Sequence, residues 1–255
     1  MRVEVLLSVL KLNKNNLKNM NITSRCTIIN QCGKNNFEKY KNFNIYSYDE
    51  LGTANSRNRG LEHISEDIIL LCDEDVVYND DYENKVINEF KNNPKADIIV
   101  FNFINPYRKK RINKRRKRVY LHNSLNYASY NIAFKRNSIG NIKFNTLFGP
   151  NAKFISGGDD SLFLVDCLKN KLKVYTSPVF IGKISNDKST WFKGFNEQYF
   201  FDRGAFFTAV SYKLRHLLML QFLIRHREVL TNYKLLKAYK IMLKGSKEYI
   251  NETRN

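Results

Sequence analysis

Three consecutive carboxylates, Asp73, Glu74 and Asp75, follow the apolar run Ile-Ile-Leu-Leu-Cys at 68–72. Such a run predicts an interior strand of a parallel sheet, and ligands of open α/β sheets bind beyond the carboxyl ends of the strands. If the chain stays extended, Asp73 and Asp75 share a face and Glu74 points away. Two such oxygen ligands suit Mg²⁺ or Mn²⁺ with positions left for substrate phosphates. The alternative is a solvated strand end or a helix cap.

A second acidic pair, Asp159 and Asp160, follows two glycines and precedes the predicted helix at 161–170. Carboxylates at a helix start can cap it and interact favourably with its dipole, so either acid could have only this structural role. A carboxylate placed across the site from a metal-bound diphosphate could instead act as a general base. The sequence alone leaves both possibilities open.

The elements that must position these acids alternate along the chain. Apolar and alternating segments predict strands. Helical spacing predicts one helix that ends before Pro94 and another that begins at Ser161. This alternation favours an α/β, Rossmann-like fold with a mostly parallel central sheet flanked by helices. The predicted strands cover 3–10, 25–31, 43–48, 68–72, 96–104, 125–134 and 174–181, and the helices 54–66, 80–92, 161–170 and most of the chain from 200 onward.

The net charge of +19 is unevenly distributed over the 255 residues. Residues 108–118 carry nine positive charges, residues 203–255 have eleven basic and three acidic side chains, and the rest is close to neutral. Two basic segments on a near-neutral body predict an anionic partner, either phospholipid or nucleic acid. The first segment is expected to be an exposed loop.

The C-terminal region mixes apolar and basic residues, and two structures fit that pattern. Its helices could lie on a membrane surface with cations meeting anionic headgroups, or they could pack on a core of their own. No stretch reads as a secretory signal or as a membrane-spanning helix, so we expect a cytoplasmic protein, attached if at all to the inner membrane face. The four cysteines form no Cys-x-x-Cys pair and are expected to be reduced thiols, with Cys72 and Cys167 buried.

Four motifs follow one another along the chain: Gly52, Ser56-Arg57-Asn58-Arg59-Gly60, the segment 67–75, and Gly158-Asp159-Asp160-Ser161-Leu162-Phe163. Their order resembles that of bacterial family 2 glycosyltransferases with the GT-A fold, of the kind found in capsule, O-antigen and lipooligosaccharide loci. The resemblance covers about residues 3–204. Residues 189–194 with Tyr199 and Phe200 also resemble the later part of transferases from polysaccharide loci.

The resemblance implies a role for each matched residue. On the donor side it implies nucleotide-sugar contacts from Ser8, Gln31, Arg57, Asn58, Asp73 and Glu74, with Ser8 and Gln31 lining the base pocket and Asn58 fixing the loop. It implies that Asp75, together with Asp73, binds the Mn²⁺ or Mg²⁺ that bridges the diphosphate. Asp160 would be the catalytic base, preceded by Asp159 where the family has Glu, and Trp191 would stack on the acceptor.

The function implied is inverting transfer of a sugar, most simply from a UDP-linked donor, to a saccharide or lipid-linked acceptor in cell-surface polysaccharide synthesis. The implied organisation is a catalytic domain at 1–204, with a nucleotide-sugar half at 1–105 and an acceptor half at 106–204, and a basic helical segment at 205–255. Two alternatives stay open at this point. One is a nucleic-acid-binding protein that uses 108–118, and the other is a nucleotidyltransferase on a similar fold.

Overall fold

A computed structural model describes residues 1–107, 112–185, 194–230 and 232–254 of the chain. The strands are β1 Val3–Leu10, β2 Arg25–Gln31, β3 Asn36–Tyr40, β4 Phe43–Tyr48, β5 Ile68–Cys72, β6 Val76–Tyr78, β7 Ile98–Ile104, β8 Ile132–Lys135 and β9 Val174–Ile184. The helices are α1 Lys14–Leu17, α2 Thr53–His63, α3 Tyr82–Asn92, α4 Arg136–Ile139, α5 Asp159–Lys169, α6 Glu197–Val210, α7 Arg215–Arg225 and α8 Leu235–Glu252. Short 3-10 turns lie at Leu121–Asn123, Ser129–Asn131 and Arg227–Leu230.

The described strands form one sheet in the order β3-β4-β2-β1-β5-β8-β7-β9-β6. Strands β1, β2, β4, β5, β7 and β9 run in one direction, while β3, β6 and β8 run in the other. The predicted α/β fold with a mostly parallel central sheet is therefore confirmed. The carboxyl ends of β1, β2 and β5 meet at one edge, beside the turn that carries Asp73.

Each face of the sheet has its own apolar core, because successive strand residues point to opposite sides. On one face Leu7 packs in a cluster with the α3 residues Tyr82 and Phe90. On the other face Leu6 packs in a cluster that contains Phe163 of α5. Full burial of such a side chain stabilises a fold by about 1.5 to 3 kcal/mol, so both helix layers are held firmly on the sheet.

The C-terminal helices have a third core, which they share with α5 and with the loop that precedes it. Phe148, Phe154 and Leu162 are buried in one cluster with apolar residues of α6, α7 and α8. The sequence left two arrangements open for these helices, a membrane surface and a core of their own. Their buried faces pack in this third core, as the second arrangement expects. The proposed division at 204/205 falls inside α6, which runs without a break from Glu197 to Val210, and that division remains a prediction.

Several element predictions need correction. The segment 125–134 is not one strand, because the chain forms the 3-10 turn Ser129–Asn131 before β8, and the Asn131 side chain accepts a hydrogen bond from the Ala128 N–H. Strand β9 continues through Pro178 to Ile184. It does so where its register with β7 shifts, which suits a residue without an N–H donor. The short strands β3 and β6 were not predicted.

The basic segment 108–118 is described only from residue 112. From 112 to 117 it is mostly exposed and irregular, as expected. Arg116 nevertheless pairs with the buried Glu89, and the Arg118 guanidinium lies over the Tyr175 ring. Cys72 and Cys167 are buried free thiols. No helix within the described ranges is long and apolar enough to cross a bilayer.

Candidate active site

Helix α2 is fixed tightly against the end of β1 and β2. The Gly52 N–H, at the start of the helix, donates to Gln31 Oε1 at 2.8 Å. At Gly60 the helix lies so close to the sheet that a Cβ would fall 2.2 Å from Leu6 Cδ1. A side chain at this position would require Leu6 to move, and the close approach brings Arg57, about one turn earlier, to Asp73 at the carboxyl end of β5.

Arg57 joins the two acidic motifs. Its Nη2 donates to Asp73 Oδ1 at 2.9 Å and its Nη1 to Asp159 Oδ2 at 2.5 Å. Its guanidinium also lies over the Phe144 ring at 5.5 Å from the centroid. Arg57 and Asp159 are both buried, whereas about a third of the Asp73 side chain, 34%, is accessible. The guanidinium therefore sits between a buried carboxylate and one that a ligand can reach.

The carboxylates after β5 lie in a turn, since the Val76 N–H donates to the Asp73 carbonyl at 3.2 Å. The premise that the chain stays extended through Asp73 and Asp75 is therefore wrong, because the strand ends at Cys72. Glu74 turns back and accepts from the Leu10 N–H at 2.8 Å. The Asp75 carbonyl accepts from the Ser185 N–H at 2.8 Å.

Ser129 links the two sides of the site. Its hydroxyl donates to Asp73 Oδ2 at 2.7 Å, and its backbone N–H donates to Asp160 Oδ2 at 3.0 Å. Sequence reasoning missed this residue, which belongs to no motif and lies in a segment predicted to be a strand. The only local signal was the polar pattern Ala-Ser-Tyr-Asn at 128–131, which is typical of turns.

Helix α5 begins at Asp159, two residues earlier than predicted. Gly158 is the residue before the helix, with φ of 107°, and no side chain caps that end. Neither Asp159 nor Asp160 is therefore the N-cap residue. Both acids lie in the first turn, where the helix dipole favours negative charge. Asp160 Oδ1 accepts from the Ser161 N–H at 2.7 Å, so backbone donors hold both of its oxygens.

Burial shapes the protonation of the cluster. Burial raises the pKa of Asp159 to about 6, with Arg57 opposing the shift and the charges of Asp160 and Asp73 adding to it. Burial also raises the pKa of Asp160, against the effects of Arg57 and the backbone donors. Burial by itself would lower the pKa of Arg57, but Asp159 and Asp73 outweigh it and the pKa is raised. Arg57 therefore stays charged among acids that ionise late.

Residues 28–157 match the family model described as Glycosyl transferase family 2. The chain belongs to this family. The matched segment contains Arg57, Asp73, Asp75 and Ser129 and ends just before Asp159. No curated protein matches this glycosyltransferase.

Solved structures share the fold of this glycosyltransferase at low identity. The crystal structure of S. aureus TarS is 13% identical with a TM-score of 0.57, over 92% of this chain and 44% of that one. TarS 1–349 in complex with UDP-GlcNAc is 13% identical with a TM-score of 0.62, over 98% and 79%. The mannosyltransferase PcManGT from Pyrobaculum calidifontis, in complex with GDP-Man and Mn²⁺, is 12% identical with a TM-score of 0.55, over 98% and 87%. This chain thus spans less than half of the TarS chain in the first of these structures.

The other predicted donor residues lie around α2 in this glycosyltransferase. Ser8 Oγ donates to Ser56 Oγ at 2.6 Å, and Gln31 Nε2 approaches Ser8 at 3.5 Å. Asn58 exchanges two hydrogen bonds with the Phe144 backbone and so fixes that loop. Ser8 and Gln31 thus lie together at one end of α2. Further along the helix, Arg57 and Ser129 join the carboxylates of Asp73, Asp159 and Asp160. Trp191 lies outside the described residues.

The metal ligands expected in this glycosyltransferase fit a divalent ion in part. Carboxylate oxygens are the ligands that Mg²⁺ and Mn²⁺ prefer, and Asp73 and Asp75 are in one turn. Both Asp73 oxygens, however, already accept hydrogen bonds from Arg57 and Ser129. No group of three His, Cys, Asp or Glu side chains placed to hold an ion occurs in the described part of the chain. Asp73 and Asp75 would therefore be two of the ligands of such an ion, and the others would come from substrate phosphates.

Proposed function

We propose that this chain is an inverting, metal-dependent glycosyltransferase of cell-surface polysaccharide synthesis. It moves a sugar from a nucleoside diphosphate donor, UDP-linked in the simplest case, to a hydroxyl group of a saccharide or lipid-linked acceptor in the cytoplasm. The observation that carries the proposal is the position of Arg57, buried between Asp73 of the donor motif and Asp159 beside the predicted base. Family membership favours sugar transfer over nucleic-acid binding and over nucleotidyl transfer.

The donor is assigned to the edge formed by β1, β2 and β5. Ser8 and Gln31 would line the pocket for the base, and the accessible part of Asp73 would meet the nucleotide. Glu74 would act only at the rim, since its carboxylate already accepts from Leu10. The fold shared with a UDP-GlcNAc complex of TarS supports a UDP-linked donor, and the GDP-Man complex of PcManGT makes a GDP-linked donor the main rival.

A divalent ion at this site would neutralise charge on the departing diphosphate as a Lewis acid. Asp73 and Asp75 would hold it together, and Asp73 would exchange one of its present hydrogen bonds for the ion. Arg57 keeps Asp73 in place from the other side. Fixing these charges before the reaction is the contribution that the protein makes to stabilising the leaving group.

Asp160 is the proposed base. The acceptor oxygen attacks the anomeric carbon as the bond to the diphosphate oxygen breaks, and Asp160 takes the hydroxyl proton. Direct displacement inverts the anomeric carbon. Asp159 is less suited because its carboxylate is buried in the pair with Arg57, whereas Asp160 is partly exposed. The acceptor role of Trp191 remains part of this proposal.

The test is thermal stability with UDP, GDP, CDP or dTDP, each with Mn²⁺ and again with EDTA. A ligand at about 100 times its Kd stabilises the fold by about 2.7 kcal/mol, which shifts the Tm of a chain of this size by several degrees. We expect one nucleotide to act, with Mn²⁺ only, and Asp75→Asn to lose the metal-dependent part. If no nucleotide shifts the Tm and oligonucleotides bind tightly in a salt-sensitive way, the proposal is wrong.

A further inference from the structure

Helix α7 exposes an apolar face that no described part of the chain covers. Leu217, Leu220 and Ile224 recur at helical spacing and are 63%, 37% and 55% exposed, and Leu214 extends the same stripe. The opposite face of the helix is buried through Met219 and Leu223. Isolated exposed leucines are normal on proteins, but a row along one helix face marks an interaction surface.

The surroundings of this face are strongly basic. From Lys213 to Arg227 the chain has four lysines and arginines and no acid. On the neighbouring α8, Lys240, Lys244 and Lys247 are exposed along one side of the helix. The acids of α8, Glu248 and Glu252, are both paired with Lys153. The positive charge beside α7 is therefore not neutralised by the acids of α8.

A groove joins the two helices. It has a volume of about 370 Å³ and is lined by Arg215 and His216 of α7 and by Lys240, Lys244 and Lys247 of α8, with the apolar side chains of Leu243 and Ile250 between them. The lysines of α8 thus share a groove with the first turn of α7, the helix that carries the exposed apolar row. An apolar strip bordered by cations is the pattern of helices that lie in a lipid interface.

We propose that α7 docks flat on a bilayer surface that contains anionic phospholipid. Leu217, Leu220 and Ile224 enter the boundary between headgroups and acyl chains, and the lysines of α8 meet lipid phosphates. A second copy of the chain fits the surface less well, because a two-fold interface would bring the same lysines face to face. Nucleic acid would leave the apolar row in water.

The proposal stands on this surface alone and does not need sugar transfer, so vesicle binding is measured without any sugar nucleotide. Purified protein is floated with vesicles of phosphatidylcholine, or with vesicles in which about a third of the lipid is phosphatidylglycerol. We expect binding to the anionic vesicles only, weakened by salt. Self-association is followed by sedimentation in the same buffer.

Two variants and two matched controls make the test specific. Leu217→Ser/Leu220→Ser/Ile224→Ser should lower vesicle partitioning by at least about tenfold. Lys240→Gln/Lys244→Gln/Lys247→Gln should lower it by roughly a hundredfold if each lysine contributes about 1 kcal/mol. The controls are Phe37→Ser, an exposed apolar residue on β3, and Lys34→Gln/Lys39→Gln/Lys95→Gln, which removes the same charge from exposed lysines elsewhere.

Far-UV circular dichroism first shows that each variant is folded, so that a loss of vesicle binding is not caused by unfolding. Loss of binding in both α7 and α8 variants, with both controls unchanged, supports the proposal. Equal binding to neutral vesicles, equal loss in the control variants, or no binding at all overturns it. A dimer that dissociates in the leucine variant, without vesicle binding by the unchanged protein, would assign the surface to a second copy instead.

Discussion

Arg57 and Asp159 are 102 positions apart in the chain, yet Arg57 Nη1 lies 2.5 Å from Asp159 Oδ2 in a buried ion pair. The same guanidinium reaches Asp73, so one side chain holds the donor motif and the start of α5 in a fixed relation. The geometry of the proposed reaction therefore depends on a contact that neither motif shows by itself.

Removing the guanidinium should destabilise the fold. In Arg57→Met the carboxylate of Asp159 stays buried without its counter-ion, and breaking such a pair costs about 3 kcal/mol. Urea unfolding at neutral pH measures the loss. The control is Arg59→Met, on the same helix, where partly exposed pairs with Glu50 and Glu62 are lost and the change should stay at about 1 kcal/mol or below.

The double variant Arg57→Met/Asp159→Asn should recover part of this loss, because no buried charge then remains at residue 159. Equal destabilisation by Arg57→Met and Arg59→Met would show that the ion pair does not organise the site.

Stability should depend on pH through Asp159. Its pKa is raised from 3.8 to about 6 in the fold, so between these values the folded state binds more protons than the unfolded state. This group's contribution to the free energy of unfolding therefore falls as pH rises from about 4 to about 6, by up to about 3 kcal/mol.

The difference in unfolding free energy between the unchanged protein and Asp159→Asn follows the titration of Asp159 within its cluster, since groups outside the cluster titrate alike in both. We expect the unchanged protein to lose stability relative to the variant across this window. A difference that stays flat from pH 4 to pH 6 would mean that Asp159 keeps its ordinary pKa in the fold, and one that rises would mean that its pKa is lowered; either result contradicts the prediction.

Ser129→Ala should affect donor binding more than turnover. The variant removes the hydroxyl that donates to Asp73 but keeps the backbone N–H that donates to Asp160. Because Asp73 is partly exposed, water replaces some of the lost bond, and KM for the sugar nucleotide should rise about fivefold, which is about 1 kcal/mol. Turnover should stay within about twofold.

Ser138→Ala is the matched control, since its hydroxyl donates to Asp97 at 2.8 Å outside the cluster. It should leave both constants unchanged. A fall in turnover larger than the change in KM would place Ser129 with the base instead of with the donor.

The sequence predicted the interior of the sheet well. The bounds of β1, β2, β4 and β5 match the predicted ones. Short segments rich in buried apolar residues are typical of interior strands, so the sequence pattern was sufficient to identify them. Strand β3, Asn-Phe-Glu-Lys-Tyr, was missed because an edge strand with polar residues carries no such run. Strand β6 has only three residues and pairs with β9, more than a hundred positions later, so local patterns could not reveal it.

The site was predictable only in its parts. Motif order identified Arg57, Asp73, Asp159 and Asp160, and the structure joins them into one cluster. The turn at Asp73, the link through Ser129 and the pairing of Arg57 with Asp159 are tertiary relationships. They depend on where α2 and α5 pack on the sheet, and the spacing of residues along the chain does not indicate these positions. The roles of these residues therefore remain predictions.

The most direct measurement is steady-state transfer by Asp160→Asn alongside calorimetric binding of the nucleotide that the thermal screen selects. As the proposed base, Asp160 should contribute about 10² to 10⁴ in rate, so turnover should fall by that factor. The nucleotide Kd should stay within about twofold, and Asp166→Asn, further along α5, should leave both unchanged. Near-normal turnover in Asp160→Asn, or loss of nucleotide binding together with activity, would contradict the account.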